Sequence, residues 1–291
     1  MQSTGDRKAN PSAWRRPGAL EGDGRTASLA RFSRIRGVVR GLRVDEVELS
    51  SPRVTRDLEG LRIVFASDVH AGRFLSQRRV GLIIDSINAL EPDLLVLGGD
   101  YVGGRANGAA AFYPEAARLE ARLGKVAVLG NHDVWEGAAA AREGLSAAGI
   151  LLLENSTETF RVKDSALTVV GLEDSYTGHP SVSTALAGPQ GGAPQGFPLL
   201  VAHHPDALTK ALAERPDVFD LALAGHTHGG QVILFGSWAL HVPPRFRQYY
   251  RSGWRVESGV PVLVSHGVGT VGIPLRMGAA PELHAITLRS L

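Results

Sequence analysis

Residues 93–100 read DLLVLGGD, an apolar run that ends in two glycines and an aspartate. Runs of the same kind occupy residues 61–66 (LRIVFA), 125–130 (KVAVLG), 198–202 (PLLVA) and 221–225 (LALAG). Residues 76–90, 114–123 and 135–149 are helical in pattern, and the first of these stretches repeats its apolar side chains at helical intervals. Short apolar runs that alternate with helices are typical of an α/β protein whose strands are buried on both faces.

The later part of the chain predicts a mixed sheet. Residues 160–174 (FRVKDSALTVVGLED) look like a hairpin that turns at residues 163–165. Residues 186–198 form a low-complexity loop. Further strands are predicted from apolar runs at residues 230–236, 260–267 and 282–288.

A side chain that can offer an oxygen or nitrogen ligand follows each of the first five apolar runs within about two residues. In open α/β sheets the ligand site lies beyond the carboxyl ends of the strands, so five ends would deliver these groups to one edge. A single Asp, Asn or His in such a place is more often a cap, a turn former or a structural residue, but one metal centre accounts for all five ends together. The candidate ligands are Asp68, His70, Asp100, Asn131, His203, His226 and His228.

The chemistry of these donors indicates a pair of ions. The chain has no cysteine, so a metal must use His, Asp, Glu or Asn. Seven donors are too many for one tetrahedral zinc, but they suit two divalent ions that share a carboxylate. Two ions roughly 3.5–4 Å apart can activate a hydroxide and stabilise both oxygens of an in-line displacement, which is the chemistry of phosphoester hydrolysis. Mn, Fe and Zn all accept this donor set.

The order of the motifs DVH (68–70), GGD (98–100), GNHD (130–133), HHPD (203–206) and GHTHGGQ (225–231) resembles the calcineurin-like metallophosphoesterase superfamily. The likeness runs from about residue 44 to residue 291. The stretches GGDYV (98–102) and PLRMGAAPELHAITL (274–288) make the sequence similar in particular to a bacterial branch of membrane-associated phosphodiesterases. That branch includes a UDP-2,3-diacylglucosamine hydrolase of lipid A biosynthesis. The resemblance implies a four-layer α-β-β-α sandwich with two mixed sheets.

The resemblance also implies a role for each candidate. One ion would be held by Asp68, His70, Asp100 and His228, and the other by Asp100, Asn131, His203 and His226, with Asp100 as the bridge. His203 is preferred to His204 because the family ligand is the first residue of a His-x-Pro-Asp pattern. His132 would contact the phosphate or protonate the leaving oxygen as a general acid. Asp133 would either orient His132 or cap the helix that follows.

The expected activity is hydrolysis of a phosphodiester or pyrophosphate by a metal-bridging hydroxide, with a nucleotide-linked lipid such as UDP-2,3-diacylglucosamine as one candidate substrate. The alternatives are a phosphomonoesterase of broad specificity and a catalytically silent binding scaffold of the same fold. The loops that would distinguish monoester, diester and pyrophosphate substrates, near residues 174–198 and 236–255, contain no recognisable motif. Substrate contacts are predicted from three arginines: Arg73, Arg245 and Arg276. For Arg73 and Arg276 a surface salt bridge is the favoured alternative. Arg245 belongs to a stretch of basic and aromatic residues (243–255) that suits a phosphate or nucleotide pocket or a bilayer interface, with an ordinary surface as the alternative.

The first 43 residues differ in charge from the rest. They carry a formal charge of +7, against −5 for the remainder. Residues 1–28 are predicted to be a disordered basic leader, residues 29–43 a basic amphipathic segment, and residues 44–291 the metallophosphoesterase domain. The basic segment either rests on an anionic membrane or packs on its own domain. No spanning or export segment is apparent, so the expected location is cytoplasmic, with peripheral contact to the inner membrane surface, no specific nucleic acid and no obligate protein partner.

Overall fold

The computed structural model describes residues 14–15 (backbone only), 41–104, 107–188, 192–234, 238–239 and 250–291. Most of the predicted leader and of the basic segment therefore lies outside the described residues, as does Arg245. Among the described residues, no helix is both long enough and apolar enough to cross a membrane.

The first sheet has seven strands within the described residues. In spatial order the strands are β1 (Trp14–Arg15), β2 (Arg43–Ser50), β17 (Glu282–Arg289), β3 (Arg62–Ala66), β5 (Leu94–Leu97), β7 (Gly124–Ala127) and β8 (Leu151–Leu152). Strand β17 pairs in parallel with β2 and antiparallel with β3, while β3, β5, β7 and β8 are parallel, so the sheet is mixed.

The second sheet has six strands in the described part of the chain. Its four central strands are parallel and both edges are antiparallel. In spatial order they are β15 (Gly253–Glu257), β16 (Val260–Val264), β12 (Leu221–Ala224), β11 (Phe197–Val201), β10 (Ser165–Gly171) and β9 (Ser156–Val162). The predicted hairpin is confirmed as β9 and β10. Two short ladders join β4 (Ala71–Gly72) to β6 (Val102–Gly103) and β13 (Ile233–Leu234) to β14 (Trp238–Ala239).

The helices of the described residues are α1 (Gln77–Asn88), α2 (Gly108–Ala116), α3 (Asn131–Ala147), α4 (Val182–Ala187) and α5 (Pro205–Glu214). The helix predicted at residues 114–123 instead ends at Ala116. The N–H groups of residues 122 and 123 donate to the carbonyls of Pro92 and Asp93, just before β5. These two N–H groups are therefore not available for helical hydrogen bonds.

Three apolar cores separate the four layers. One lies between the first sheet and α1 to α3, the second between the two sheets, and the third between the second sheet and helices α4 and α5. Strand β3 shows why, because Val64 and Ala66 enter the first core while Ile63 and Phe65 enter the second. Alternate side chains of a strand point to opposite faces, so a continuous apolar run serves a sheet covered on both sides. The predicted α-β-β-α sandwich is confirmed.

His284 of β17 fastens the first sheet to the loop after β16. Its Nε2 lies 3.2 Å from Glu282 Oε1 and 3.0 Å from Ser265 Oγ, and its Nδ1 lies 3.5 Å from Asp45 Oδ2. Burial disfavours the charged ring, but the hydrogen bonds with Asp45 and Glu282 outweigh it and raise the pKa of His284 to about 9. His284 is therefore a buried cation with a structural role.

Candidate metal centre

The loops that leave the strands carry the predicted ligands in an unusual backbone conformation. The φ angles of five of these residues are positive: Asp68 (54°), His70 (47°), Asp100 (57°), His226 (70°) and His228 (52°). A residue other than glycine in this region costs on the order of 1–3 kcal/mol and persists only where its surroundings enforce it. These residues follow strands of both sheets, β3 and β5 of the first and β12 of the second, and not one sheet edge as predicted. Such strain where the two sheets meet indicates a site whose side-chain directions are fixed before any ligand arrives.

The glycines beside the ligands are required by close approach. A Cβ on Gly130 would collide with Asp100 Oδ1, and a Cβ on Gly225 would collide with Asp68 Oδ2. Gly99 combines a φ of 90° with contacts to Gly130 N and to the His203 ring. Only glycine leaves room for the carboxylates to lie against these turns.

Candidate ligand atoms gather into overlapping clusters, each with its atoms within 4.8 Å of one another among the described residues. These clusters are Asp68 with His70 and His228, Asp68 with Asp100 and His203, His70 with Asp100 and His132, and His203 with His204 and His226. The structure thus brings together the Asp and His residues predicted from the five strand ends.

Asp100 lies between the two predicted sets of ligands. Its Oδ2 is 3.4 Å from His70 Nε2 on one side and 3.2 Å from His203 Nε2 on the other. On the side of His70, the Nε2 atoms of His70 and His228 are 3.0 Å apart, and His228 Nε2 is 3.5 Å from Asp68 Oδ1. One carboxylate oxygen therefore faces a histidine of each set.

The electrostatics favour deprotonated ligands on the His70 side. Burial lowers the pKa of His70 to about 4 and that of His228 well below its usual range, so both rings are neutral. Burial alone would raise the pKa of Asp100, but the charge of His203 and the hydrogen bond with it hold that pKa well below the ordinary value. The same partnership raises the pKa of His203 to about 10 against the effect of burial. A metal ion that binds His203 must therefore release its proton.

Unpaired polar atoms test whether this set fits divalent ions. Asn131 Oδ1 and His226 Nε2 are buried, and within the described residues neither has a hydrogen-bond partner. Buried polar atoms without a partner are rare in proteins because they lose their hydration. Carboxylate oxygens, an amide oxygen and imidazole nitrogens are the ligands that Mn, Fe and Zn accept, so the residues fit such ions.

A model of the calcineurin-like phosphoesterase family matches residues 61–230, which contain all seven predicted ligands. The chain belongs to this family. It is 32% identical over 261 residues to the transmembrane protein with metallophosphoesterase domain of Danio rerio, covering 85% of this chain but 57% of that protein. It is 30% identical over 249 residues to the uncharacterized metallophosphoesterase YkuE of Bacillus subtilis (strain 168), covering 84% and 85%. A putative 5'-nucleotidase structure from Staphylococcus aureus aligns with a TM-score of 0.47 and 15% identity, over 73% of this chain and 49% of that one.

The family match confirms the predicted superfamily. The predicted class, a metal-dependent phosphoric ester hydrolase, is the class for which these relatives are named. The branch that acts on UDP-2,3-diacylglucosamine stays a prediction, as does contact with a membrane. The chain spans little more than half the length of the Danio rerio relative.

The other residues of the family motif have distinct positions. His132 lines a cavity of about 490 Å³, with its ring 4.7 Å from that of His70 and 5.1 Å from that of Trp135. Asp133 is fully buried, and its carboxylate accepts hydrogen bonds from four backbone N–H groups, those of residues 100, 101, 102 and 130. These hydrogen bonds correspond to the predicted role of Asp133 as a helix cap, and they also fix the backbone of Asp100.

The arginines predicted to touch substrate differ in their surroundings. Arg276 donates four hydrogen bonds to backbone carbonyls: Nε to Gly269 O, Nη1 to the carbonyls of His228 and Ala279, and Nη2 to His266 O; Nη2 also lies 3.2 Å from His228 Nδ1. Four of its five N–H groups are therefore occupied inside the protein, and they hold the guanidinium beside the His228 ring. Arg73 is exposed, with its guanidinium 5.0 Å from the Phe74 ring centre.

Gln231 lies beside the candidate site and was not assigned a role from the sequence. Its Nε2 donates to the carbonyls of Val271 and Ile273, and its Oε1 accepts from Val271 N. Together with Arg276 it connects the turn of residues 225–231 to the loop of residues 269–278. The signal was present in the sequence as the last residue of GHTHGGQ, but its partners lie some 40 residues further along the chain.

Proposed function

We propose that this chain hydrolyses a phosphodiester or pyrophosphate bond with the help of two divalent ions. The observation that carries the proposal is the position of Asp100, whose Oδ2 lies within 3.4 Å of His70 Nε2 and 3.2 Å of His203 Nε2. A carboxylate shared by two sets of imidazoles is what a pair of ions requires as a bridge.

The ligands would divide as the family resemblance implies. Asp68, His70 and His228 would hold one ion, Asn131, His203 and His226 would hold the other, and Asp100 would contact both. Two ions in these positions would supply an activated water as the attacking group and would neutralise charge on the phosphoryl oxygens. The strained loops contribute by fixing the side-chain directions, which avoids reorganisation during the reaction.

His132 is the residue placed to act on the leaving group. Its backbone N–H donates to Asp100 Oδ1 at 2.9 Å, so the start of α3 is tied to the bridging carboxylate. The ring lies on the cavity wall next to His70, and imidazole can supply a proton near neutral pH. His132 would therefore protonate the departing oxygen.

The walls of the cavity away from the ligands support a substrate with an apolar part. They include Trp135, Tyr176, Val232, Val271 and Ile273. The polar wall residues Thr227 and Gln231 already use their side chains, because Thr227 Oγ1 donates to Arg251 O and Gln231 bonds the 271–273 backbone. These walls agree with the proposed nucleotide-linked lipid, such as UDP-2,3-diacylglucosamine, and with a peripheral position on the inner membrane surface.

The test is a panel of three substrates with Mn²⁺, Fe²⁺ and Zn²⁺: bis-p-nitrophenyl phosphate, p-nitrophenyl phosphate and UDP-2,3-diacylglucosamine. We expect hydrolysis of at least one diester or pyrophosphate, and a loss of at least a hundredfold in Asp100→Asn. Asp164→Asn, at an exposed hairpin turn, is the matched control and should keep full activity. Hydrolysis of the monoester alone would support the phosphomonoesterase alternative. Inactivity with metal bound would favour the silent scaffold and would refute the proposal.

A further inference from the structure

His204 lies beside the proposed ligands, but the family pattern assigns it no role. It precedes α5, it is 2% exposed, and its Nδ1 lies 2.8 Å from Asp174 Oδ1. The other oxygen of Asp174 accepts hydrogen bonds from the backbone N–H groups of Tyr176 and Thr177 and from Thr177 Oγ1. The carboxylate is thus anchored, and it fixes the direction of the His204 ring.

The opposite nitrogen of this ring has no hydrogen-bond partner. His204 Nε2 is buried and unpaired within the described residues. One ring nitrogen from each of His203, His204 and His226 lies within 4.8 Å of the others. The ring centre of His204 is 3.7 Å from that of His226 and 5.0 Å from that of His203.

We propose that His204 is a third imidazole ligand of the ion assigned to Asp100, Asn131, His203 and His226. The inference rests on the two-ion function proposed above. With Nδ1 facing the Asp174 carboxylate at 2.8 Å, the lone pair of Nε2 is available to a metal, as in the carboxylate–histidine–metal arrangement common in metalloproteins. The anchored Asp174 then acts as a positioning residue for His204.

A packing role is the competing explanation. His204 contacts the rings of His226 and Tyr176, the latter with ring centres 4.1 Å apart, and any flat side chain can make such contacts. Packing alone, however, does not require a carboxylate on Nδ1, and it leaves Nε2 buried without a partner, which is unfavourable. Metal ligation accounts for both features.

The two ions would then differ in their surroundings. One would have three imidazoles beside the shared carboxylate, and the other would have two imidazoles and two carboxylates. Imidazole suits Zn²⁺ and Fe²⁺, while carboxylate suits Mn²⁺. The site with His204 should therefore prefer Zn²⁺ over Mn²⁺ more strongly than its neighbour does.

The experiment is an NMR titration of full-length protein labelled with ¹⁵N in its histidine rings. Zn²⁺ is added to metal-free protein, and long-range ¹H–¹⁵N spectra report which ring nitrogens bind. The His204 signals are identified as those missing from His204→Gln. We expect the His204 Nε2 signal to move to the range of metal-bound imidazole together with those of His203 and His226, and its Nδ1 to stay protonated.

Two variants and one control complete the test. In His204→Gln we expect a tenfold to hundredfold weaker affinity for one of the two Zn²⁺ ions, and Asp174→Asn should weaken the same ion. His179→Gln, an exposed histidine of the neighbouring loop, should bind both ions as the wild type does. A His204 Nε2 signal that stays unbound at saturating Zn²⁺ would overturn the proposal. The readout needs no substrate, so a chain that binds zinc but hydrolyses nothing would refute the proposed function and leave this result valid.

Discussion

Asp133→Asn is the substitution whose effect the structure defines most closely. Oδ1 of Asp133 accepts from Tyr101 N at 2.8 Å and Val102 N at 3.3 Å, and Oδ2 accepts from Asp100 N at 2.7 Å and Gly130 N at 2.9 Å. Asparagine keeps one acceptor oxygen, and it turns an NH₂ group toward the other two N–H groups. Burial raises the pKa of Asp133 to about 7, so above that pH two charge-assisted hydrogen bonds are lost and two buried donors remain unpaired.

The expected loss of folding stability is large for a substitution that replaces one side-chain oxygen by an NH₂ group. Hydrogen bonds to a charged group contribute about 1.5–3 kcal/mol each, so the free energy of unfolding should fall by about 3–6 kcal/mol. The affected N–H groups belong to the loop of Asp100, so metal affinity should fall as well. Because globular domains are stable by only about 5–15 kcal/mol, the variant should be close to the limit of folding.

Urea unfolding of metal-free protein, followed by far-UV circular dichroism, measures this loss without a contribution from bound metal. Asp206→Asn is the matched control, since Asp206 also lies in the first turn of a helix but is only partly buried, and we expect it to lose less than about 1 kcal/mol. A variant Asp133→Asn that unfolds like the wild type while its hydrolysis is abolished would refute the reasoning. That result would favour the orientation of His132 as the role of Asp133.

Three further predictions concern other parts of the molecule. Gly225→Ala should weaken metal binding at least tenfold in calorimetric titration, because its Cβ meets Asp68 Oδ2; unchanged affinity would contradict the crowding argument. Ile273→Ser should lower kcat/KM about fivefold for esters with an apolar group, because the lost apolar contact corresponds to a transfer free energy of about 1 kcal/mol. Leu151→Ser is the control, since Leu151 is 44% exposed and Ile273 is 49% exposed, and it should leave kcat/KM unchanged. The raised pKa of His284, about 9 against 6.5, contributes about 3 kcal/mol that is fully present below pH 6.5 and lost as the pH rises through 9. Urea midpoints of wild type and His284→Gln at pH 6 and 9 should converge at the higher pH, and parallel curves would exclude the effect.

The sequence predicted those features that depend on local pattern. The apolar runs at residues 61–66 and 93–98 became β3 and β5, and the run at 221–225 became β12. The rule that ligands lie beyond the carboxyl ends of strands then predicted that Asp100 and His228 lie close together, but they follow strands of two different sheets, β5 and β12, and not one sheet edge. A ligand at the end of a strand can be predicted from the sequence because the apolar run and the polar residue are adjacent in the chain.

What the sequence did not predict depends on contacts between distant segments. Arg276 is 48 residues from His228, and nothing in the sequence around it indicates that four of its N–H groups would donate to backbone carbonyls. Asp174 is 30 residues from His204, so the pair was not apparent either. The positive φ angles of the ligands also follow from tertiary packing, since local propensity disfavours them for Asp and His.

Metal dependence of hydrolysis tests the central claim most directly. Metal-free protein is titrated with Mn²⁺ while bound metal per chain and hydrolysis of bis-p-nitrophenyl phosphate are measured in the same samples. The account predicts that about two ions bind per chain and that activity reaches its maximum only when the second ion is bound. Full activity with a single bound ion, or two bound ions in Asp100→Asn with activity unchanged, would contradict a centre built around a shared carboxylate.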